Sequence, residues 1–384
     1  MGFRASARVI LGAAVSLGML AMVPGVAFAA DPACGDTLTS NTTLHADLDC
    51  SGYAATALTI GAKGVTLNLG GHTLTGYTGD DTYAAIDISG YRDATVTNGT
   101  IANAGYGVHA SHATRLTLSS LAINAETGAF TDDYGAYIDY SASDTISHVT
   151  VNGPYYGLYL YGDASTTVSN NTLTADGYGT YTEYDSRDTY SHNTTHAPYG
   201  FTDYYTGGNT YLNNNASGGS ATGFYLYCSD YGPVTAIGNT ANNNGSDGFY
   251  TEECYVDPPG APEYSLIKSN TANNNGGSGF DDYYSIGATF TRNTAKGNGS
   301  DGMYFDYPGD QHITRNVASH NVNAGIELAD NYGVGYGVPK DISRNVMKFN
   351  EFGIYAEYAV PNGVCHGNTV RHSTVANFFN VVCS

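Results

Sequence analysis

Phe290-Thr-Arg-Asn-Thr-Ala-Lys-Gly-Asn-Gly-Ser-Asp-Gly302 is answered one repeat later by Ile313-Thr-Arg-Asn-Val-Ala-Ser-His-Asn-Val-Asn-Ala-Gly325. The same asparagine context recurs at Asn171, Asn193, Asn214, Asn239, Asn270, Asn293, Asn316, Asn345 and Asn368. A glycine follows each of the first eight after 7 to 9 residues, and six of the intervals from a glycine to the next repeat's asparagine column are 14 residues, so the repeat is 22 or 23 residues long. Apolar positions alternate in twos, which favours strands over helices. A repeat of this length fits one solenoid coil of three short strands, each paired with its counterpart about 4.8 Å away on the next coil. An asparagine stacked at one turn satisfies its neighbours' amides and tolerates the left-handed backbone of a sharp turn. The expected fold is all-β: a single-domain right-handed parallel β-helix of about 13 coils.

The Ile-x-x-Asn-x-Val/Ala…Gly-Phe/Ile repeat resembles that of the pectate-lyase-like superfamily. Cys34-Gly…Leu48-Asp-Cys50 and Gly64-Val-Thr-Leu-Asn-Leu-Gly-Gly-His-Thr-Leu-Thr-Gly76 resemble the first coil of its secreted bacterial members. The resemblance spans residues 34 to 384. It implies the fold more firmly than an activity, because this superfamily holds lyases, hydrolases, epimerases and non-enzymes.

The first 29 residues read as a cleaved signal peptide. Arg4 and Arg8 precede an apolar run from Val9 to Val23, and Ala27-Phe28-Ala29 supplies the small residues of a cleavage site. The domain expected after cleavage is 30–384, secreted and monomeric. Six cysteines remain and no CxxC occurs, so three disulfides are expected. Cys34 with Cys50 and Cys365 with Cys383 would staple the ends, and Cys228 with Cys254 would join adjacent coils. Removing Arg4 and Arg8 takes Lys+Arg from 14 to 12 against 35 acids, a formal charge of about −23. That excludes nucleic acid as the natural partner and disfavours an anionic membrane surface.

The strand after each glycine exposes two alternating columns. They hold tyrosines, Tyr225, Tyr227, Tyr250, Tyr283 and Tyr304 among them, together with Glu252, Asp281, Asp306 and Glu327. The partner implied is a polysaccharide or cell-surface glycan, with rings stacking on sugars and carboxyls reaching hydroxyls. Glu252, Glu253, Asp281, Asp282, Asp306, Glu327 and Asp330 fall on four consecutive coils, flanked by enlarged turns around 255–264 and 332–339. Stacked acids repel, so a cation, a raised pKa or a catalytic role is expected. Calcium, held by Asp281 and Glu327, is the expected cofactor. Glu252, Asp281, Asp306 and Glu327 are the candidate catalytic residues of a glycoside hydrolase or polysaccharide lyase, with Glu252 and Asp281 diagonal neighbours suited to hydrolysis. Alternation turns Asp282 inward. Asp281-Asp282 resembles the paired aspartates of polygalacturonases, although no Gly-His-Gly or Arg-x-Lys motif accompanies it. Lyases of the superfamily use an outward Arg or Lys as base, and neither column has one. Arg292, Arg315 and Arg344 read as a structural surface ladder. The competing readings are a non-catalytic glycan- or partner-binding surface and a structural rod.

Overall fold

Each repeat folds into three short parallel strands because threonine and aliphatic residues alternate through it. In one coil these are Tyr178–Glu183, Thr189–Ser191 and Thr194–His196. Every one pairs in parallel with its counterparts on the neighbouring coils, Tyr178–Glu183 with Tyr156–Tyr161 and Tyr199–Tyr204 for example. The three columns are called here the glycine, middle and asparagine ladders. The computed structural model describes residues 31–77, 82–125, 133–229, 232–254, 264–329 and 338–384. Among these there is no helix, hence none long and apolar enough to cross a membrane. The coils number about 14, one more than the sequence spacing suggests, because the C-terminal strands Phe352–His366 and Ala376–Cys383 add a pairing beyond the last full repeat. The expected signal peptide lies outside the described residues, as do Asp330 and nearly all of both enlarged turns.

The asparagines are buried and form a continuous chain. Asn193 Oδ1 accepts from both N and Nδ2 of Asn171 at 3.0 Å. Its own Nδ2 donates to Val168 O at 2.9 Å and to Asn214 Oδ1 at 3.0 Å. The pattern continues to Asn368. The residue before each asparagine is left-handed, with φ of 57° at Asn170 and 56° at His192.

A second ladder stands five residues further on, at Asn244, Asn275, Asn298, Asn321 and Asn350. It explains the glycine column. A Cβ on Gly279 would lie 2.7 Å from Gly302 O and 2.8 Å from Asn298 Nδ2, closer than real side chains approach. In the N-terminal half, aspartates make similar bonds in the turn after the glycine strand: Ser141 N donates to Asp163 at 2.6 Å and Thr166 N to Asp188 at 2.7 Å. The interior is apolar, with Phe201, Phe224, Phe249 and Phe280 stacked at 4.6 to 5.0 Å along the axis. All three disulfides are the expected ones, Cys34–Cys50, Cys228–Cys254 and Cys365–Cys383.

Asn293→Ala would strand the Asn270 amides that donate to Asn293 Oδ1 on the coil before and remove the donor to Ile267 O and Asn316 Oδ1, an expected loss of about 1–3 kcal/mol per unsatisfied group. Thermal denaturation should show a lower melting temperature with unchanged β-sheet circular dichroism. An unchanged melting temperature would remove the ladder from the account of stability.

Candidate active site

The glycine strand turns three side chains of each coil outward: the residue before the glycine and the second and fourth after it. Register alone decides what these columns contain. Tyr250, Asp281, Tyr304, Glu327 and Tyr355 follow one another in the second column. Tyr227, Glu252, Tyr283 and Asp306 follow in the fourth. Tyrosine and carboxyl therefore alternate down both columns, out of phase with each other. No acid has an acid in register on the next coil within either column, which relieves much of the repulsion expected from four acidic coils.

The remaining repulsion comes from acids in the column before the glycine, which the sequence reading did not include. Asp247 and Asp301 occupy it. Burial pushes Asp281 up to about 8, helped by Asp247, Asp282, Asp301 and Asp306. Burial also pushes Glu327 up to about 8, and its hydrogen bond with Asp301 adds to the rise. Glu327 and Asp301 thus form a carboxyl–carboxylate pair. Glu252 is raised less, by burial, and the Tyr250 hydroxyl opposes that rise by donating to its Oε2 at 2.9 Å. Asp282 is inward as expected. It accepts from Thr251 Oγ1 and Gln311 Nε2, both at 2.5 Å, and burial pushes it up to about 6.

Asp306 departs from expectation. It stands in an outward column, yet it is only 3 % exposed. Bulky Tyr283 lies beside it in register and Tyr307 follows it in the chain, with their rings 6.0 Å apart. A substrate meets Glu252, Asp281 and Glu327 more readily than Asp306. Asp281 and Glu327 are two coils apart, about 10 Å by strand spacing, with Tyr304 between them. Among the described residues, no three His, Cys, Asp or Glu side chains gather as metal ligands. Asp281 and Glu327 alone supply fewer oxygens than the roughly 6–8 that calcium takes.

Away from the acids the face is aromatic. Tyr159 stacks on Tyr181 at 5.0 Å and Tyr225 on Tyr250 at 4.9 Å. A parallel row, also absent from the sequence reading, runs Tyr106, Tyr134, Tyr156, Tyr178 and Tyr199 at 4.9 to 5.3 Å. Rings stacked along the axis cover each other's faces, so they offer edges and hydroxyls to a ligand. At the acidic end the stacking is interrupted: Tyr250 meets Asp281 instead of another ring, and Tyr283 lies between Glu252 and Asp306. The face ends near Asp87, which holds His109 Nδ1 at 2.8 Å.

Fold and face together define a parallel β-helix with a carboxyl-and-tyrosine surface. The "Right handed beta helix region" family model matches residues 134–258 and 234–382, and the chain belongs to this family. No curated protein matches the sequence significantly. Among solved structures, the chain is similar to the A-module of a mannuronan C-5 epimerase from Azotobacter vinelandii. That match has a TM-score of 0.50 and 16% identity, over 84% of this chain and 88% of the other. The catalytic unit of a thermostable GH87 α-1,3-glucanase from Streptomyces thermodiastaticus matches with a TM-score of 0.48 and 13% identity, over 83% and 63%. At such identities the likeness concerns the fold.

A carboxyl that keeps its proton in the folded state stabilises the fold at low pH, and that contribution is lost as pH rises from the unfolded pKa through the folded one. For Asp281 this window runs from the ordinary 3.8 to about 8. Asp281→Asn should leave the melting temperature nearly unchanged at pH 4 and raise it relative to wild type at pH 9. Equal shifts at both pH values would show that Asp281 ionises as an ordinary surface carboxyl.

Proposed function

We propose that this chain is a polysaccharide-active β-helix enzyme that hydrolyses a glycosidic bond over the interleaved tyrosines and carboxyls. The observation that carries the reading is the placement of Asp281 and Glu252 as diagonal neighbours on one outward face, in unlike surroundings: burial dominates at Asp281, whereas Glu252 accepts from the Tyr250 hydroxyl. Diagonal positions on adjacent strands of one face are neighbours, near enough for side chains to span the roughly 6.5–9.5 Å between the carboxyls of an inverting pair. Asp281, held protonated by burial, is the general acid. Glu252, whose carboxylate is favoured by the Tyr250 hydroxyl, is the general base.

In the proposed reaction Asp281 gives its proton to the glycosidic oxygen as the bond to the anomeric carbon breaks. Glu252 takes a proton from the water that attacks this carbon from the opposite side. The products are two sugar chains with inverted configuration at the new reducing end. Asp281 is left ionised and Glu252 protonated, and exchange with solvent restores both. Tyr225, Tyr227, Tyr250, Tyr283 and Tyr304 contact the sugars through hydroxyls and ring edges. Glu327, paired with Asp301, holds a second proton beside the next sugar. The similar A-module is named for its action on mannuronan, itself a polysaccharide, which agrees with a glycan substrate for this fold. The three disulfides support action outside the cytoplasm.

A reducing-end assay across neutral and acidic polysaccharides, with product anomers read by NMR, tests the reading. Activity should fall at high pH as Asp281 ionises near about 8. Asp281→Asn and Glu252→Gln should each lower kcat by about 10²–10⁴-fold without loss of fold. Unsaturated products would point to a lyase, and binding without turnover on any polysaccharide would favour a glycan-binding surface.

Calcium is tested separately, by titrating it into metal-free protein. The proton-based reading predicts no rise in melting temperature. A rise that disappears in an Asp281→Asn/Glu327→Gln double variant would assign the patch to a cation instead, since binding to the folded state alone raises stability with ligand concentration.

A further inference from the structure

The middle ladder carries a feature of opposite sign. The residue before each ladder asparagine is left-handed throughout, and Asn170, Asn213 and Gly238 are ordinary occupants of that conformation. Three later coils place arginine there, with φ of 60° at Arg292, 58° at Arg315 and 59° at Arg344. Turn geometry does not ask for arginine, which has no advantage in this backbone region. The stacking is unfavourable as well, because in-register coils set these cations about 4.8 Å apart in a column. Neither Arg315 nor Arg344 forms an ion pair with a carboxylate among the described residues.

Arg315 and Arg344 border a groove of about 490 Å³, with His312, His366, Thr314 and Ser343 also in its wall. Asp341 is the one acid in the wall among the described residues. It faces His366 Nδ1 at 3.8 Å and accepts from Ser343 Oγ at 3.1 Å, so its charge is turned to its own strand and to the histidine. Two guanidiniums remain, in a chain whose formal charge is −21. Guanidinium forks on successive coils match oxyanions repeated along an extended chain, and the threonine and serine hydroxyls suit sugar hydroxyls. Among the described residues, no Phe, Tyr or Trp lines the groove to offer the platform on which nucleic-acid bases stack.

We propose that this groove binds an acidic glycan, with Arg315 and Arg344 gripping successive carboxylate or sulfate groups. The site lies on a different ladder from Asp281 and Glu252, and it stands or falls independently of the hydrolase reading. Calorimetry at low ionic strength, where exposed charges are least screened, would compare an oligogalacturonate, a sulfated dextran oligomer, neutral dextran, inorganic sulfate and a single-stranded DNA oligomer. The expected result is binding of the two acidic glycans, weakened by salt, with neutral dextran showing no such salt-sensitive binding. An R315Q/R344Q variant should lose roughly tenfold or more in affinity for them. R344K, which keeps the charge and loses the fork, should lose an intermediate amount and guards against misfolding of the double variant. Unchanged affinity in both arginine variants would overturn the proposal. So would inorganic sulfate or DNA binding as tightly as the glycans.

Discussion

Asparagine side chains bonded to the backbone of the neighbouring coil hold this molecule in register. Each ladder asparagine serves two coils at once: its oxygen accepts from the coil before it, and its amide donates to a main-chain carbonyl and to the asparagine of the coil after. A parallel strand that slips by one residue turns all of its side chains to the other face. Asparagines that can bond only at their own step forbid this slip, and the second ladder behind the glycine column repeats the restriction. The glycines belong to the same device, because the carbonyl of the next coil and an asparagine amide fill the space where a Cβ would stand.

Register then creates the chemistry. With the strands fixed, tyrosine and carboxyl alternate down two columns at the acidic end, whereas the middle of the molecule stacks tyrosine on tyrosine. The same spacing gives opposite results in the two regions. Where rings meet rings, their faces are consumed by packing. Where rings meet carboxyls, burial pushes Asp281 and Glu327 up to about 8, and Glu252 retains a hydroxyl partner that favours its charge. The arginine column on the adjoining ladder follows the same rule of identical residues placed at coil spacing, with a cationic outcome.

Much of this was legible in the sequence. A 22- or 23-residue period with a fixed asparagine and glycine allows few folds, and alternation after the glycine correctly placed Glu252, Asp281 and Glu327 outward and Asp282 inward. The cysteine pairs followed from which coils they bracket. Other features escaped for identifiable reasons. Asp247, Asp301 and the row from Tyr106 to Tyr199 precede the glycine, and counting began after it. The second asparagine ladder was visible at a constant offset of five residues and was not used. The burial of Asp306 depends on the bulk of Tyr283 and Tyr307, which alternation does not weigh. The coverage of ring faces needs the rotamers themselves, and the pairing of Glu327 with Asp301 joins columns on different coils.

The central claim is that register and burial keep a proton on Asp281 at neutral pH while it faces the solvent side of the sheet. The most direct measurement is a carboxyl titration by ¹³C NMR on aspartate-labelled protein, with the Asp281 resonance assigned by its absence from Asp281→Asn. The account predicts a midpoint near about 8. A midpoint near the ordinary aspartate value of 3.8 would contradict it and leave the site without its general acid.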